Sequence, residues 1–557
     1  MNTRLSLPTS LDQLLPAAAE RRPGDGIAIL DRRGARDFRD YRALAAAVER
    51  RAGQLVAHGL CAGEPALIAL DTSFEWLDCW FGAVRMGALP VAIAPAGAMG
   101  SGRAHLDKLH GIVDQLDVRA VIGGEGLRRE AAELGLALVA DRCVTTAELD
   151  ALAPAPHENP RSAPDEIAFL QLTSGSTGIP RAVCIRHASI LHQLAAITHA
   201  MGMDDADTES PHGVSWLPLH HDMGMVGALL ASIANGWSLD LIPSRAFLAR
   251  PESWLAAIAN YDRAISPAPN FAYQACVERG TGSRLDGADL SGWRIALTGA
   301  EMVRPETTRA FAAEHAALGF DARAIRPCYG LAEATLAVTF DSRGLGVRTA
   351  PIPGDPTGAE VVCVGEPVID TLVRITDEHG DDLPERTVGA VRVDGPGVFA
   401  GYYRNDEATA ASLIGGELVT GDLGFLQDGE LYITGRTKDL LILRGSNWMP
   451  HELEWRAEAV LGGGGMLRAG AFSVEGGARG ELAVIAGETG ETDAARLAEL
   501  AREIRVNVGR ELGIALHDVV LVRRGRIPKT SSGKVQRGEL RRLYTSGGLE
   551  RLDEPKP

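Results

Sequence analysis

Along the first 340 or so residues, apolar positions switch between two periods. Residues 41–59 (YRALAAAVERRAGQLVAHG) repeat apolar side chains three and four apart and end on Gly59, which predicts a helix with a glycine stop. Residues 66–70 (ALIAL) form a short apolar run between Pro65 and Asp71, which predicts a buried strand. Residues 76–86 read as helix again, and residues 89–94 (LPVAIA) as another strand. Wholly apolar strands separated by amphipathic helices imply βαβ units and largely parallel sheets.

The texture changes after about residue 340. Residues 361–400 and 416–441 hold short strands separated by Gly, Asp and Pro turns, as in ITDEHGDDLPERTVGAVRV and FLQDGELYITG. That suits a small antiparallel β unit spanning about 341–437. From residue 447 onward the pattern is α+β and rich in arginine, and the glycine run at 462–465 predicts a loop. The expected fold class is α/β: mixed sheets with helices, then the antiparallel β unit, then a small α+β segment.

At 557 residues the chain is too long for one core of about 100–200 residues. With 45% hydrophobic and 23% charged residues it is neither disordered nor collagen-like. A net charge of −17 argues against a nucleic-acid partner, because neutralising a phosphate backbone needs clustered Lys and Arg. The seven cysteines are scattered without C-x-x-C or zinc spacing, as expected for reduced thiols in a cytoplasmic protein. The opening MNTRLSLPTSLDQLL lacks the apolar core of a signal peptide, and no apolar window is long enough for a transmembrane segment.

Five short strings carry candidate chemistry. Thr173-Ser174-Gly175-Ser176-Thr177-Gly178 follows the apolar run at 167–172. A strand feeding such a turn leaves backbone N–H groups and hydroxyls free, which makes a nest for phosphate oxygens. It lacks the G-K-[ST] ending of a P-loop. The others are Tyr329-Gly330-Leu331-Ala332-Glu333, Thr420-Gly421-Asp422-Leu423-Gly424, Gly435-Arg436-Thr437-Lys438-Asp439 and Lys529-Thr530-Ser531-Ser532-Gly533-Lys534. Singly, each is an ordinary loop, a structural turn carboxylate or a surface lysine. Ser531 and Lys534 also fit S-x-x-K, but no S-D-N or K-T-G follows, so a β-lactamase reading fails. No G-x-G-x-x-G with a following acid supports a dinucleotide site. Residues 521–545 set Arg523, Arg524, Arg526, Lys529, Lys534, Arg537, Arg541 and Arg542 against Glu539 alone. This is either a solvated helix face or a surface that meets phosphates.

Taken in order, the five strings resemble the signature of the adenylate-forming superfamily over nearly the whole chain. Longer strings are similar to its fatty acyl-AMP ligase branch. These are Ser215-Trp216-Leu217-Pro218-Leu219-His220-His221-Asp222-Met223-Gly224, Ala268-Pro269-Asn270-Phe271-Ala272-Tyr273, Gly299-Ala300-Glu301 with Val303-Arg304-Pro305-Glu306-Thr307, and Arg444-Gly445 with Asn447 and Pro450. The resemblance implies a large N-terminal domain over 1–437 and a small mobile C-terminal domain over 438–557, hinged at Lys438. It implies ATP- and Mg²⁺-dependent conversion of a carboxylic acid to its acyl-AMP. In that scheme Thr173, Ser174, Gly175, Ser176, Thr177 and Gly178 hold the β- and γ-phosphates, and Glu333 helps hold Mg²⁺. Tyr329, with Gly330, Leu331 and Ala332, lies against adenine, and Gly299, Ala300 and Glu301 flank its other side. Asp422 accepts from the ribose hydroxyls near Arg436. His221, Asp222 and Asn270 line the acyl pocket. Lys534 is the catalytic cation, touching both anions as carboxylate meets α-phosphate.

Two places depart from the pattern. The phosphate loop ends in Pro180-Arg181 where relatives carry Pro-Lys, so Arg181 receives no catalytic role. Residues 341–364 are longer than expected of a plain CoA ligase and shorter than expected of an acyl-AMP ligase. A carrier-protein phosphopantetheine is therefore the first expectation for the acceptor, and CoA the second. A non-catalytic adenylate-binding relative is the reading from another class. A long alkyl acid follows from the branch resemblance alone, and aryl or polycyclic acids of a natural-product pathway stay open.

Overall fold

The computed structural model describes residues 7–95, 102–173, 179–203, 210–280, 285–355, 358–443, 446–462, 468–476, 480–529 and 534–552. The alternating pattern of the first half folds into two large sheets. A six-stranded sheet runs in the order Cys143–Val144, Ala120–Ile122, Pro65–Ile68, Leu89–Ala92, Ile167–Leu172, Ala182–Arg186. Its first five strands are parallel, and only the last pair is antiparallel.

A nine-stranded sheet runs Glu366–Pro367, Ala337–Phe340, Ile325–Gly330, Trp293–Gly299, Ala264–Pro269, His212–Ser215, Leu239–Leu241, Gly26–Leu30, Arg36–Asp40. Its pairings from Ile325–Gly330 to Gly26–Leu30 are parallel. Ligands of such sheets sit beyond the carboxyl ends of the strands. Those ends carry the segments that begin at Trp216, Asn270 and Ala300, and the turn after Gly330.

Local chemistry explains the elements. The helix Tyr41–His58 starts where the Asp40 side chain accepts from the Ala43 N–H, and it stops at Gly59 with φ of 100°. It buries Leu44, Val48, Ala52 and Leu55, against the helix Phe74–Arg85. Each fully buried leucine of this kind contributes about 1.5–3 kcal/mol.

The antiparallel unit begins later than residue 341. Its five strands are Leu372–Thr376, Gly389–Asp394, Glu417–Gln427, Leu413–Ile414 and Glu430–Arg436. Residues before it pair elsewhere: Thr349–Pro351 with Glu360–Val362, and Glu366–Pro367 with the edge of the nine-stranded sheet. Gly365, at φ of +89°, lets that return pass close to Phe340, where any Cβ would collide with backbone.

After residue 440 come the hairpin Leu441–Leu443/Ser446–Trp448, the helix Pro450–Leu461 and a three-stranded sheet. That sheet orders Ala469–Glu475, Glu481–Thr489 and Asp518–Arg523, with helices Ala494–Leu512 and Arg537–Thr545. The longer helix buries Leu497, Leu500, Ile504, Val508 and Leu512 on one face. The fold is thus a large N-terminal part and a small C-terminal part.

The arginine-rich stretch at 521–545 is not a single open face. Arg537 pairs with Glu454 and Asp439, and Lys529 pairs with Glu488, while Arg523, Arg524, Arg526, Arg541 and Arg542 are exposed. Of the predicted glycine loop at 462–465, residues 463–465 lie outside the described residues. Among the described residues no helix is long and apolar enough to cross a membrane.

Candidate active site

A cavity of about 1600 Å³ lies beyond the carboxyl ends of the nine-stranded sheet, with walls from both the large and the small part. Every described candidate of the sequence reading is on its wall or in direct contact with a residue that is. Ser174, Gly175, Ser176, Thr177 and Gly178 lie outside the described residues. Thr173, just before them, is tied back by its N–H to the Arg181 carbonyl at 2.9 Å.

One end is built around Asp422. The strands Glu417–Gln427 and Glu430–Arg436 pair so that Asp422 lies opposite Arg436. Asp422 is therefore a strand residue, with only Gly421 before it in a positive-φ conformation (74°). Arg436 Nε donates to its Oδ1 at 2.7 Å, and the Tyr329 hydroxyl donates to its Oδ2 at 2.6 Å. With both oxygens engaged, Asp422 is 3% exposed. Burial, reinforced by the Asp422 charge, pushes the Tyr329 phenol well above its ordinary pKa, so it stays a donor.

Gly330 permits the next turn. A Cβ there would sit 1.7 Å from the Leu336 carbonyl oxygen, which accepts from the Leu331 N–H at 2.9 Å. The tight loop presents Glu333 from the short 3₁₀ turn Ala332–Ala334. Ala332 itself packs into the core. The Tyr402 hydroxyl donates to Glu333 Oε1 at 2.7 Å, and the Arg181 guanidinium lies 5.2 Å from the Tyr402 ring centroid. Thr173, Arg181, Tyr402 and Glu333 all line the cavity. Tyr402 was invisible to motif reading, because Gly401-Tyr402-Tyr403 matches none of the five strings.

The other end follows the strand His212–Ser215. His221 Nδ1 lies 2.7 Å from Asp222 Oδ1, which also accepts from the Met223 N–H at 2.7 Å. Burial alone would raise the Asp222 carboxyl, but the His221 charge and hydrogen bond outweigh it and hold the group below its usual range. His220 turns inward. Its carbonyl accepts from Gln171 Nε2 at 3.0 Å, and burial pushes its imidazole down to about 3, keeping it neutral. A helical segment with π winding, Met223–Leu230, leaves Gly227 on the cavity wall, where a Cβ would come within 3.1 Å of Leu336 Cδ2. Pro267, Leu297, Leu336 and Cys328 continue this apolar wall.

Asn270 reaches the wall with its side-chain oxygen Oδ1 already accepting from the Arg304 N–H at 3.0 Å. On the turn after Gly299, Ala300 has φ of 66°, and Glu301 Oε1 accepts from the Phe271 N–H at 2.6 Å. Burial pushes the Glu301 carboxyl up to about 7, against the pull of that hydrogen bond, Arg304 and Lys534.

The small part contributes Lys534. Burial and the Arg436 charge push its ammonium below the ordinary lysine value, while Asp222, Glu301 and Asp422 oppose the shift. Lys534 lies on the wall of the same cavity as Asp422 and His221. Lys438 sits in the 3₁₀ turn Thr437–Asp439, its pKa lowered first by burial and then by Arg436. Arg181, Arg436, Lys438 and Lys534 set four cationic groups on the wall of this cavity, interleaved with the carboxylates of Asp222, Glu301, Glu333 and Asp422. Such cations are the groups a polyanionic substrate would meet.

Residues 15–403 match the family model described as AMP-binding enzyme. A putative acyl-CoA synthetase of Caulobacter vibrioides is 32% identical over 519 residues, covering 89% of this chain and 88% of its own. A medium-chain-fatty-acid–[acyl-carrier-protein] ligase, JamA, of Moorena producens is 30% identical over 523 residues, covering 88% and 87%. A solved structure among the fatty acyl-adenylate ligases of E. coli and L. pneumophila superposes with a TM-score of 0.88 at 31% identity, covering 98% of this chain and 99% of the other.

Proposed function

Because the chain belongs to the AMP-binding enzyme family of adenylate-forming ligases, we propose that it loads a fatty or other long acyl acid onto the phosphopantetheine thiol of a carrier protein. The first half-reaction is the family's own: ATP-dependent conversion of a carboxylic acid to acyl-AMP with release of pyrophosphate. The acid class and the acceptor are the proposal. The observation that supports the adenylation site is the single cavity whose wall holds Lys534 of the small part together with the Asp422–Arg436 and His221–Asp222 pairs, and the acyl acid and the acceptor draw their support from the relatives.

In this reading Tyr329 and the Gly299-Ala300-Glu301 turn flank adenine, with Gly330, Leu331 and Ala332 shaping the wall beneath it. Asp422 and Arg436 face the ribose, and the β- and γ-phosphates are assigned to residues 173–178 from their sequence. The acyl carboxylate enters past His221, with Asp222 fixing that ring, and its chain runs along Gly227, Leu297 and Leu336. One carboxylate oxygen attacks the α-phosphorus, the bond to the β-phosphate oxygen breaks, and pyrophosphate leaves with the electron pair. Lys534, ammonium toward both anions, offsets the charge that develops between them. A thiolate then attacks the acyl carbonyl, the thioester forms and AMP leaves.

Magnesium fits as a companion of ATP. Glu333 offers one carboxylate whose Oε1 is already engaged by Tyr402, and no cluster of three ligating side chains exists among the described residues. A cation that keeps several waters and takes one carboxylate plus phosphate oxygens suits that donor set. It would neutralise the charge on the phosphates.

We assign residues 1–437 and 438–557 to two bodies that rotate about Lys438 between the half-reactions. The carrier-protein reading draws support from the relative named as an acyl-carrier-protein ligase. The relative named as a putative acyl-CoA synthetase favours the second reading, transfer to CoA. Incubating pre-formed dodecanoyl-AMP and enzyme with either CoA or a phosphopantetheine-bearing carrier separates the two. Thioester on the carrier but not on CoA is the expected result, and rapid acyl-CoA formation would replace this reading with the second.

A further inference from the structure

Arg304 stands where the large and small parts meet. It precedes the helix Pro305–His315 and follows the turn that carries Glu301, and its N–H is held by Asn270 Oδ1 at 3.0 Å. Its guanidinium crosses to the small part. Nη2 donates to Glu458 Oε2 at 2.7 Å, and the group lies 4.8 Å from the Trp455 ring centroid. The pair is mostly enclosed, with side-chain exposures of 19% and 13%. Burial pushes the Glu458 carboxyl above its ordinary range, against the opposing pull of the Arg304 charge and hydrogen bond.

The contact leads directly to Lys534. Glu458 lies on the helix Pro450–Leu461, one turn beyond Glu454. Glu454 grips Arg537 through both carboxylate oxygens at 2.7 Å, and Arg537 also reaches Asp439 beside the Lys438 turn at 3.1 Å. Arg537 follows Lys534 by three residues. One helix thus carries two adjacent carboxylates: one fastened to the large part, the other to the segment that delivers the lysine. Glu458 Oε1 meanwhile accepts from the Arg468 and Ala469 N–H groups at 2.9 and 3.3 Å, fixing the entry to the strand Ala469–Glu475.

We propose that Arg304 is a positioning residue for the adenylation half-reaction. By clasping Glu458 and stacking on Trp455, it holds the small part in the pose that places Lys534 in the cavity. The proposal rests on the assignment of Lys534 under the proposed function. It does not require Arg304 to touch substrate. Because the clasp is made between the two parts and not to the nucleotide, its loss acts on turnover more than on ATP binding.

The test compares wild type, Arg304→Ala and Arg304→Lys by ATP–pyrophosphate exchange and by amide hydrogen exchange. Arg304→Ala is expected to lower the exchange kcat about tenfold or more while KM for ATP moves less than about threefold. Arg304→Lys, which keeps the charge but loses the planar fork and the stacking, should fall between. Amide exchange should quicken in Pro450–Leu461 and Arg537–Thr545 and stay unchanged in Trp293–Gly299. An unchanged kcat, a rise in KM alone, or faster amide exchange throughout the large part would overturn the clasp. If no acid supports pyrophosphate exchange in wild type, the reading of the reaction falls. The amide-exchange arm then decides the clasp alone, and unaltered protection of Pro450–Leu461 overturns it.

Discussion

Three side chains test the site one residue at a time. Lys534 is a half-buried ammonium on the cavity wall, under the charges of Asp222, Glu301 and Asp422, and on the proposed reading its removal takes away a charge that acts on the developing phosphate. Asp422 binds Tyr329 and Arg436 at once, so its truncation strands a partly buried hydroxyl and leaves a half-exposed guanidinium without this partner. Asp422→Ala should lower unfolding stability about 1–3 kcal/mol more than Asp422→Asn, which keeps an acceptor, as read by denaturant titration. ATP binding should weaken in both variants. Glu301 predicts a pH effect. Its carboxyl titrates near 4.5 when unfolded and at about 7 when folded, so the folded chain holds a proton that the unfolded chain has released between those values. The stability this contributes is complete below the lower value and is lost as pH rises through the upper one. Glu301→Gln should therefore melt level with wild type near pH 4 and be stabler near pH 8, by up to about 3 kcal/mol. Equal curves at both pH values would show that the carboxyl is not desolvated. Motif order made Lys534, Asp422, Glu333 and Tyr329 legible as candidates, since each sits in a short string of restricted composition. Tyr402 and Arg304 were not legible as partners, because their meaning comes from contacts 69 and 154 residues distant.

At the scale of elements, periodicity sufficed where burial is one-sided or complete. The helix at 41–58 and the strands at 65–68 and 89–92 fall within a residue or two of where the apolar pattern put them. It failed where pairing is decided by distant chain. The strand Glu366–Pro367 joins the nine-stranded sheet, and Asp422, which reads as a turn residue in Thr-Gly-Asp, lies inside an eleven-residue strand. The basic stretch at 521–545 likewise broke up, because Glu454, Asp439 and Glu488 come from elements that composition cannot place beside it. The turn Thr437–Asp439 is the element with the plainest consequence. It links the strand Glu430–Arg436 to the hairpin of the small part, and the proposed rotation between half-reactions would be absorbed there. Proline fixes φ, so Lys438→Pro should slow thioester formation from pre-formed acyl-AMP more than it slows pyrophosphate exchange. Equal loss of both rates would remove the hinge from this turn.

For the molecule as a whole, a chain of net charge −17 gathers Arg181, Arg436, Lys438 and Lys534 in one cavity formed by both parts. On the proposed reading the large part supplies the nucleotide and acyl walls and the small part supplies the lysine, so chemistry would depend on how the two are docked. That dependence is the central claim, and product analysis tests it most directly. Wild type and Lys534→Ala are each incubated with ATP, Mg²⁺ and dodecanoic acid, and the acyl-AMP is quantified while folding is checked by thermal unfolding. The account predicts acyl-AMP from wild type, at least about a hundredfold less from the mutant, and nearly equal melting temperatures. Adenylate formed at the wild-type rate by Lys534→Ala would contradict it, because the lysine of the small part would then take no part in joining carboxylate to phosphate.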